Sequence, residues 1–297
     1  MPQVHANGIR IEYDTFGRRE DRPLLLVMGL GAQMILWDEA FCEALAAAGH
    51  FVVRYDNRDV GLSEKLDAAG VPNVAELLAK AAAGEPVAVP YTLGDMAADG
   101  LGVLDALDLP AAHVCGASMG GMIVQTMAIE TPGRLRSLTS IMSSTGNRDL
   151  PPAKPEAMAA LMSPPGRNRD EQLDRAVAVS QVIGSPAFRQ TEQEIRARAA
   201  RAFDRAFYPT GVARQMAAVA AGGSRKARLQ SVRLPALVIH GRADPLVPVE
   251  AGIDTHEALA GSELLLIDGM GHDLPRAVWP RIIEGITRLT SRAEPSA

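Results

Sequence analysis

A serine, an aspartate and a histidine occur in this chain in an order and in local settings that suit nucleophilic catalysis. Ser118 lies in the segment Gly-Ala-Ser-Met-Gly-Gly at 116–121, after an apolar, strand-like run and before a helical pattern. This G-x-S-x-G pattern in a strand–turn–helix context predicts a sharp turn that exposes the serine hydroxyl. A serine hydroxyl is an effective nucleophile only when a base takes its proton, and a third group must orient that base.

His272 is the predicted base. It lies in the glycine-rich loop 268–272, directly after the strand-like run 263–267. Loops at the carboxyl ends of parallel strands form the binding sites of α/β proteins. The alternative interpretation is a loop histidine that only meets solvent. The other five histidines belong to strand or helix patterns: His5, His50, His113, His240 and His256.

Asp244 is the predicted orienting acid, because it follows the strand-like run 236–240 and precedes His272 in the chain. The order serine, aspartate, histidine is that of α/β-hydrolases. Three carboxylates compete for the role. Asp268 and Asp273 are close to His272 in sequence and are interpreted as surface residues, and Asp149 is the first carboxylate after the strand-like run 135–142.

Acyl transfer also needs hydrogen-bond donors for the oxyanion that develops on the substrate. The backbone N–H of Met119, the residue after the nucleophile, is one predicted donor. The second is expected from the glycine-rich turn that follows the strand-like run 24–27, and the Leu30 N–H is the predicted group. Because both donors belong to the main chain, the two side chains need not be polar.

The residues that line the substrate pocket are less clearly marked. Trp37 and Tyr208 are predicted at its rim. Flexible thioethers suit a site that accepts varied apolar groups, and the candidates for the acyl pocket are Met34, Met142, Met162 and Met216. Plain core packing is the alternative for each methionine. The arginines of the segment 189–214 are interpreted as a solvated helix face rather than as a grip for an anionic substrate.

The remaining chain supplies the elements that must position these residues. Strand-like runs at 4–6, 9–16, 24–27, 51–55, 112–115, 135–142, 236–240 and 263–267 alternate with helical patterns at 38–48, 91–107, 122–129 and 278–290. This alternation predicts an α/β fold with a mostly parallel central sheet that helices flank on both faces.

The segment 145–230 differs from the rest, because it has no convincing strand. Its helical stretches at 170–183 and 192–221 predict a helical lid, or cap, inserted after the strand that follows the nucleophile. The α/β-hydrolase core is then expected at 1–144 and 231–297, with a frayed tail at 292–297.

Composition and charge narrow the range of partners. The chain has 297 residues and a net charge of −5, which favours neither nucleic acid nor an anionic membrane as partner. No apolar run approaches the ~20 residues of a membrane span, and no signal-peptide pattern opens the chain. We therefore expect a cytoplasmic protein with Cys42 and Cys115 as buried thiols. The sequence leaves the oligomeric state open, a homo-oligomer included.

The chain resembles the α/β-hydrolase superfamily along nearly its whole length. The segments that carry the resemblance are 26–29, 55–63, 116–121, 241–244 and 269–272. The Met28-Gly29 turn and the segment 58–61 are similar to the aclacinomycin methylesterase and carboxylesterase branch. Two residues depart from common patterns of the superfamily: Met28 replaces a histidine, and Ala117 replaces a histidine or glutamine. Both changes make the floor of the site more apolar.

This resemblance implies a serine carboxylic-ester hydrolase that forms an acyl-enzyme and needs no metal or organic cofactor. The expected substrates are small to medium esters with apolar groups, methyl esters or lactones included. A lactonase, a C–C bond hydrolase or a perhydrolase would use the same triad, and a non-catalytic ligand receptor is the alternative from another class. Dehalogenases and epoxide hydrolases are disfavoured, because those relatives are expected to carry aspartate at the position of Ser118.

Overall fold

An eight-stranded sheet forms the centre of the computed structural model, which describes residues 2–294 apart from the side chain of residue 82. The strands are β1 (Gln3–Ala6), β2 (Ile9–Phe16), β3 (Arg22–Val27), β4 (His50–Tyr55), β5 (Ala112–Ala117), β6 (Leu135–Ile141), β7 (Ala236–Gly241) and β8 (Glu263–Ile267). Their spatial order is β1-β2-β4-β3-β5-β6-β7-β8. The pairs β1/β2 and β2/β4 are antiparallel, and the other five pairs of neighbours, from β4 to β8, are parallel. The predicted mostly parallel sheet is confirmed.

Helices cover both faces of this sheet. They are α1 (Glu39–Ala47), α2 (Val74–Ala82), α3 (Leu93–Ala106), α4 (Met119–Glu130), α5 (Pro155–Leu161), α6 (Arg169–Ile183), α7 (Glu192–Arg205), α8 (Pro209–Ala221), α9 (Lys226–Leu229), α10 (Val249–Ala258) and α11 (Trp279–Arg292). Within residues 2–294, no helix is both long and apolar enough to cross a membrane.

Two apolar cores lie on opposite faces of the sheet, because successive side chains of a strand point to opposite sides. In β3, Leu25 and Val27 belong to the core that contains the buried residues of α3 and α4. Leu24 and Leu26 belong to the core that contains those of α1 and α11. The continuous apolar run of β3 is thus explained by burial on both faces, and this burial holds the ends of β3 and β5 in place for the site.

The segment between β6 and β7 is helical, and we call residues 145–230 the insertion. It carries α5 to α9 and, among the described residues, no strand. The predicted continuous helical stretch 192–221 is wrong, since α7 ends at Arg205 and α8 begins at Pro209. A proline disfavours helical dihedrals in the residue before it, and Tyr208 has a φ of −143°.

The division of the chain into a core at 1–144 and 231–297 and a separate lid stays a prediction, and residues 1 and 295–297 lie outside the described residues. The predicted frayed tail is wrong for Glu294, whose carboxylate accepts hydrogen bonds from Arg136 and lies 2.9 Å from His113 Nε2. The rest of that tail prediction, 295–297, falls on the residues that are not described.

Candidate active site

Ser118 lies at the tip of the sharp turn between β5 and α4. Its φ of 55° and ψ of −120° are values that side-chain-bearing residues rarely adopt. A Cβ on Gly116 would lie 2.1 Å from the carbonyl oxygen of Gly120, and one on Gly120 would lie 2.1 Å from that of Val27. Only glycine lets β5, α4 and β3 approach this closely, as the predicted strand–turn–helix arrangement requires.

The structure brings Ser118, His272 and Asp244 into one hydrogen-bonded line. His272 Nε2 lies 3.0 Å from Ser118 Oγ, and His272 Nδ1 lies 2.7 Å from Asp244 Oδ2. The Oδ1 atom of Asp244 accepts hydrogen bonds from the backbone N–H groups of Leu246 and Val247 at 2.9 and 2.8 Å. Both oxygens of the buried carboxylate are therefore satisfied, and the ring of His272 has a fixed orientation.

Two of the three other carboxylates considered for the acid role lie elsewhere. Asp149 is exposed. Asp268 is exposed as well and pairs with Arg242 at 3.0 Å, as expected for a surface residue. Neither forms a hydrogen bond with His272 in the described part of the chain.

Two histidines lie beside Asp244, and their pKa values are shifted in opposite directions. Burial opposes protonation of His272, but the charge and hydrogen bond of Asp244, with the charge of Asp273, outweigh it and raise the pKa of His272. His240 Nε2 donates instead to the Val247 carbonyl at 2.8 Å. Burial lowers the pKa of His240 and so favours its neutral form.

The loop that carries His272 is held by the connection between α6 and α7. The buried Ser185 hydroxyl accepts a hydrogen bond from the Gly271 N–H at 2.9 Å and donates to Asp273 Oδ1. The backbone N–H of His272 donates to the Ile183 carbonyl at 2.7 Å, and Gln190 Nε2 donates to Asp273 Oδ2 at 3.1 Å. The interpretation of Asp273 as a surface residue is wrong, since it joins the histidine loop to the insertion.

The glycine-rich turn after β3 lies against the nucleophile. A Cβ on Gly29 would lie 3.1 Å from Ser118 Cβ. Among residues 2–294, no hydrogen-bond acceptor meets the backbone N–H of Leu30 or of Met119. The N–H of Met119 also belongs to the first turn of α4, where the helix dipole favours negative charge. The oxyanion roles of both groups stay predictions.

The loop after β4 braces this turn. Asp56 Oδ1 accepts from the Met34 N–H at 2.7 Å, and its Oδ2 lies 2.7 Å from Arg205 of the insertion. Asn57 Nδ2 donates to the Met28 carbonyl at 2.9 Å. Arg58 turns into the core and forms a buried pair with Asp99.

The predictions for the pocket need correction in part. The prediction that Trp37 lies at the pocket rim is wrong, since this residue is 1% exposed and stacks on Phe41 at a centroid distance of 5.7 Å. Met34 is fully buried and also belongs to the interior. Met142 is 3% exposed. Tyr208 is partly exposed, and its hydroxyl accepts from Arg214 Nη2 at 2.7 Å and donates to Asp67. Pocket roles for Met142 and Tyr208 stay predictions.

The interpretation of the insertion's arginines as a solvated face is wrong for two of them. Arg214 is 1% exposed and forms two 2.8 Å hydrogen bonds with the carboxylate of buried Asp59. Arg205 pairs with Asp56. Sequence reasoning missed these docking pairs, because nothing in the local pattern of α7 or α8 marks a side chain whose partner lies more than a hundred residues away. It also missed Ser185, whose partners Gly271 and Asp273 lie 86 and 88 residues away.

Comparison with known proteins identifies the fold family. The model of the alpha/beta hydrolase fold family matches residues 22–275. The chain is 30% identical to rhodomycin D methylesterase DauP of Streptomyces sp., with 98% of each chain covered. It is 26% identical to 3-oxoadipate enol-lactonase 2 of Acinetobacter baylyi over 90% of this chain and 91% of that one. A meta-cleavage product hydrolase of Pseudomonas fluorescens superposes with a TM-score of 0.79 at 17% identity, with 99% and 98% covered.

The protein belongs to the α/β-hydrolase fold family. The resemblance to its methylesterase branch, inferred from the sequence, is confirmed by the full-length similarity to a methylesterase. Within residues 2–294, no group of three or more histidine, cysteine, aspartate or glutamate side chains is arranged to hold a metal ion.

Proposed function

We propose that the protein is a serine carboxylic-ester hydrolase that works through an acyl-enzyme. The observation that carries the proposal is the line of short contacts from Ser118 Oγ through the His272 imidazole to Asp244. A hydroxyl in contact with an oriented base is the defining arrangement of an activated serine. Asp244 holds the tautomer in which Nδ1 carries the proton and Nε2 is free to accept one.

In the first half of the reaction, Ser118 Oγ attacks the ester carbonyl carbon while its proton passes to His272 Nε2. The carbonyl oxygen becomes an oxyanion, and the N–H groups of Leu30 and Met119 are proposed to bind it. The C–O bond to the alcohol then breaks. The alcohol takes its proton from the imidazolium, and an acyl group remains on Ser118.

In the second half, a water molecule repeats the attack. His272 accepts a proton from the water as its oxygen binds the acyl carbon, and the oxyanion forms in the same place. The bond between Ser118 Oγ and the acyl carbon breaks, and the serine recovers its proton from His272. Every step uses a group of the chain or water, so the proposed mechanism requires no metal or organic cofactor.

We propose small to medium esters with apolar groups, methyl esters among them, as substrates. The near full-length similarity to a methylesterase supports this choice, and so do the apolar side chains of Met28 and Ala117, which lie next to Gly29 and Ser118 in the chain. The insertion is proposed to act as a cap that bounds the pocket. Val212 of α8 supports this role, because a Cβ on Gly31 would lie 3.0 Å from its side chain.

Lactone hydrolysis is the second candidate, which the similarity to an enol-lactonase favours. A lactone is an ester whose alcohol stays tethered to the acyl group, so the same steps open it. C–C bond hydrolysis and perhydrolysis on the same triad are further alternatives from the sequence, and fold alone does not separate these chemistries.

The experiment is acid release from a panel of short and long aryl esters, methyl esters and acyl-homoserine lactones, followed with a pH indicator. Wild type and Ser118→Ala are compared on each substrate. We expect turnover by wild type on esters and a loss of at least ~10⁴-fold in kcat for the variant. Activity that survives in Ser118→Ala would exclude the serine mechanism, and ligand binding without any turnover would favour a receptor.

A further inference from the structure

We propose that Gln215 of α8 is a positioning residue that holds the oxyanion-binding turn in its working geometry. The inference deepens the proposed function and rests on it. Gln215 lies in the insertion, and its side chain forms no hydrogen bond with Ser118 or His272 in the described structure. Its role would be to make the insertion part of the catalytic framework.

The side-chain amide of Gln215 joins two loops of the core. Its Oε1 atom accepts a hydrogen bond from the Gly31 N–H at 2.8 Å, and its Nε2 atom donates to the Arg58 carbonyl at 2.9 Å. Gln215 is 0% exposed. Because one partner is a donor and the other an acceptor, the amide has a single satisfied orientation.

These bonds decide which N–H group of the turn remains available. The Gly31 N–H is taken by Gln215, and the Ala32 N–H donates to the Gly29 carbonyl at 3.2 Å. The Leu30 N–H has no acceptor within residues 2–294. Gly31 has a φ of 65°, a conformation that glycine adopts readily. The turn would otherwise be free to rotate this peptide group away from Ser118.

The helix that carries Gln215 is itself firmly placed. The neighbouring Arg214 makes its two hydrogen bonds to Asp59, and both side chains are at most 1% exposed. A Cβ on Gly211 would lie 2.1 Å from the Asp59 carbonyl oxygen. The backbone of α8 and the backbone of the loop after β4 are therefore in direct contact, and this contact places Gln215 close to the turn.

Loss of Gln215 should raise the free energy of the transition state. An oxyanion donor contributes ~10²–10³ in turnover, and a displacement of about 1 Å at a reacting centre costs ~10²-fold. Loss of Gln215 would leave the Leu30 N–H present but less well placed. A fall in kcat of ~10–100-fold with little change in KM is the expected signature.

The experiment compares Gln215→Met, Gln215→Glu and the control Gln33→Met with wild type. Gln33 also docks the insertion, since its Nε2 donates to the Ala202 and Ala206 carbonyls at 2.6 and 2.9 Å, but it makes no bond to Gly31. Each protein is assayed with 4-nitrophenyl acetate and with phenylboronic acid as inhibitor. Boron accepts an electron pair from Ser118 Oγ, whose proton passes to His272, and the resulting tetrahedral anion mimics the intermediate.

We expect Gln215→Met to raise the Ki of phenylboronic acid and to lower kcat by the same ~10–100-fold factor, with KM changed less than about threefold. Gln215→Glu should recover most of the loss at pH 6, because a buried carboxyl is protonated more readily and can then accept from Gly31 and donate to Arg58. Gln33→Met should lose thermal stability but keep Ki within about twofold of wild type.

Equal Ki values for wild type and Gln215→Met, or equal losses in Gln215→Glu, Gln215→Met and Gln33→Met, would overturn the inference. In the first case the turn needs no support, and in the second the residues matter only for docking. If Gln215→Met does not fold, the comparison of Gln215→Glu with Gln33→Met decides. Failure of the proposed function is distinct, because wild type itself would then show no turnover that depends on Ser118.

Discussion

The two sides of the catalytic line are held by different neighbours. On the nucleophile side, glycines let the turn of Ser118 press against the core alone: a Cβ on Gly120 would collide with the backbone of β3. On the histidine side, the contacts are with the insertion. A Cβ on Gly271 would lie 2.6 Å from the backbone of Gly184, and Ser185 bonds to both Gly271 and Asp273.

This difference implies that the nucleophile turn is rigid and that the histidine loop is adjustable. The nucleophile turn is packed against strands that also form the main core, so it cannot shift without loss of the fold. The histidine loop depends on a connection between two helices of the insertion, where the side-chain hydrogen bonds of Ser185 and the backbone bond from His272 to Ile183 carry the contact. Substitutions on the first side should therefore act on stability, and substitutions on the second should act on rate and pH dependence.

The largest effect is expected for Gly120→Ala. The added methyl group would lie 2.1 Å from the Val27 carbonyl oxygen, and backbone on both sides leaves no room to adjust. We expect a loss of about 3 kcal/mol or more in the free energy of unfolding, measured by urea denaturation. Gly133→Ala is the matched control, because no atom lies within 4 Å of its Cβ position, and it should change stability by less than about 1 kcal/mol. Equal stabilities of the two variants would contradict the proposed packing.

A smaller effect, on rate, is expected for Ser185→Ala. The change leaves the buried Gly271 N–H without its acceptor and frees Asp273 from one donor. Since His272 follows Gly271 directly, kcat should fall ~10-fold while KM changes little. Ser163→Ala removes a comparable bond within the insertion, to the Ala160 carbonyl at 2.6 Å, and should retain full activity. A loss in KM alone, or the same loss in both variants, would refute a link between Ser185 and the base.

The smallest effect is expected for Asp273→Asn, which keeps the shape of the side chain but removes its charge. The charge of Asp273 helps to raise the pKa of His272. Its removal favours the neutral imidazole, so the pKa of His272 should fall. Because the neutral form is the active base, the acid limb of the kcat/KM profile should move to lower pH. Asp268→Asn is the control at an exposed carboxylate. An unchanged profile for Asp273→Asn would show that Asp244 alone sets the titration.

Much of the site could be predicted because its marks are local in sequence. The glycines around Ser118 indicate the turn, since only residues without a Cβ fit it, and the positions of Asp244 and His272 after apolar runs place both at the carboxyl edge of a parallel sheet. The proposed oxyanion-binding turn is marked in the same way by Gly29 and Gly31. Each prediction needed only the type of a residue and its place after a strand.

The wrong predictions concern side chains whose partners are distant in the chain. Trp37 is of a residue type that often lines pockets, yet α1 and the sheet enclose it. Arg214 is of a residue type that often covers a solvated helix face. It nevertheless binds Asp59, which lies 155 residues away in the sequence. Helical periodicity gives the direction of a face but not what covers it, and Pro209 was the one local signal that would have divided the stretch 192–221.

The amino-acid sequence by itself determined the order of strands and helices along the chain, the nucleophile turn and the identity of the three aligned residues, because short-range sterics and burial on both strand faces leave few alternatives. Only the tertiary structure decided how the insertion docks. Its contacts through Ser185, Gln215 and Arg214 depend on where two distant segments meet, and a buried hydrogen bond or ion pair is favourable only when both partners reach the same place.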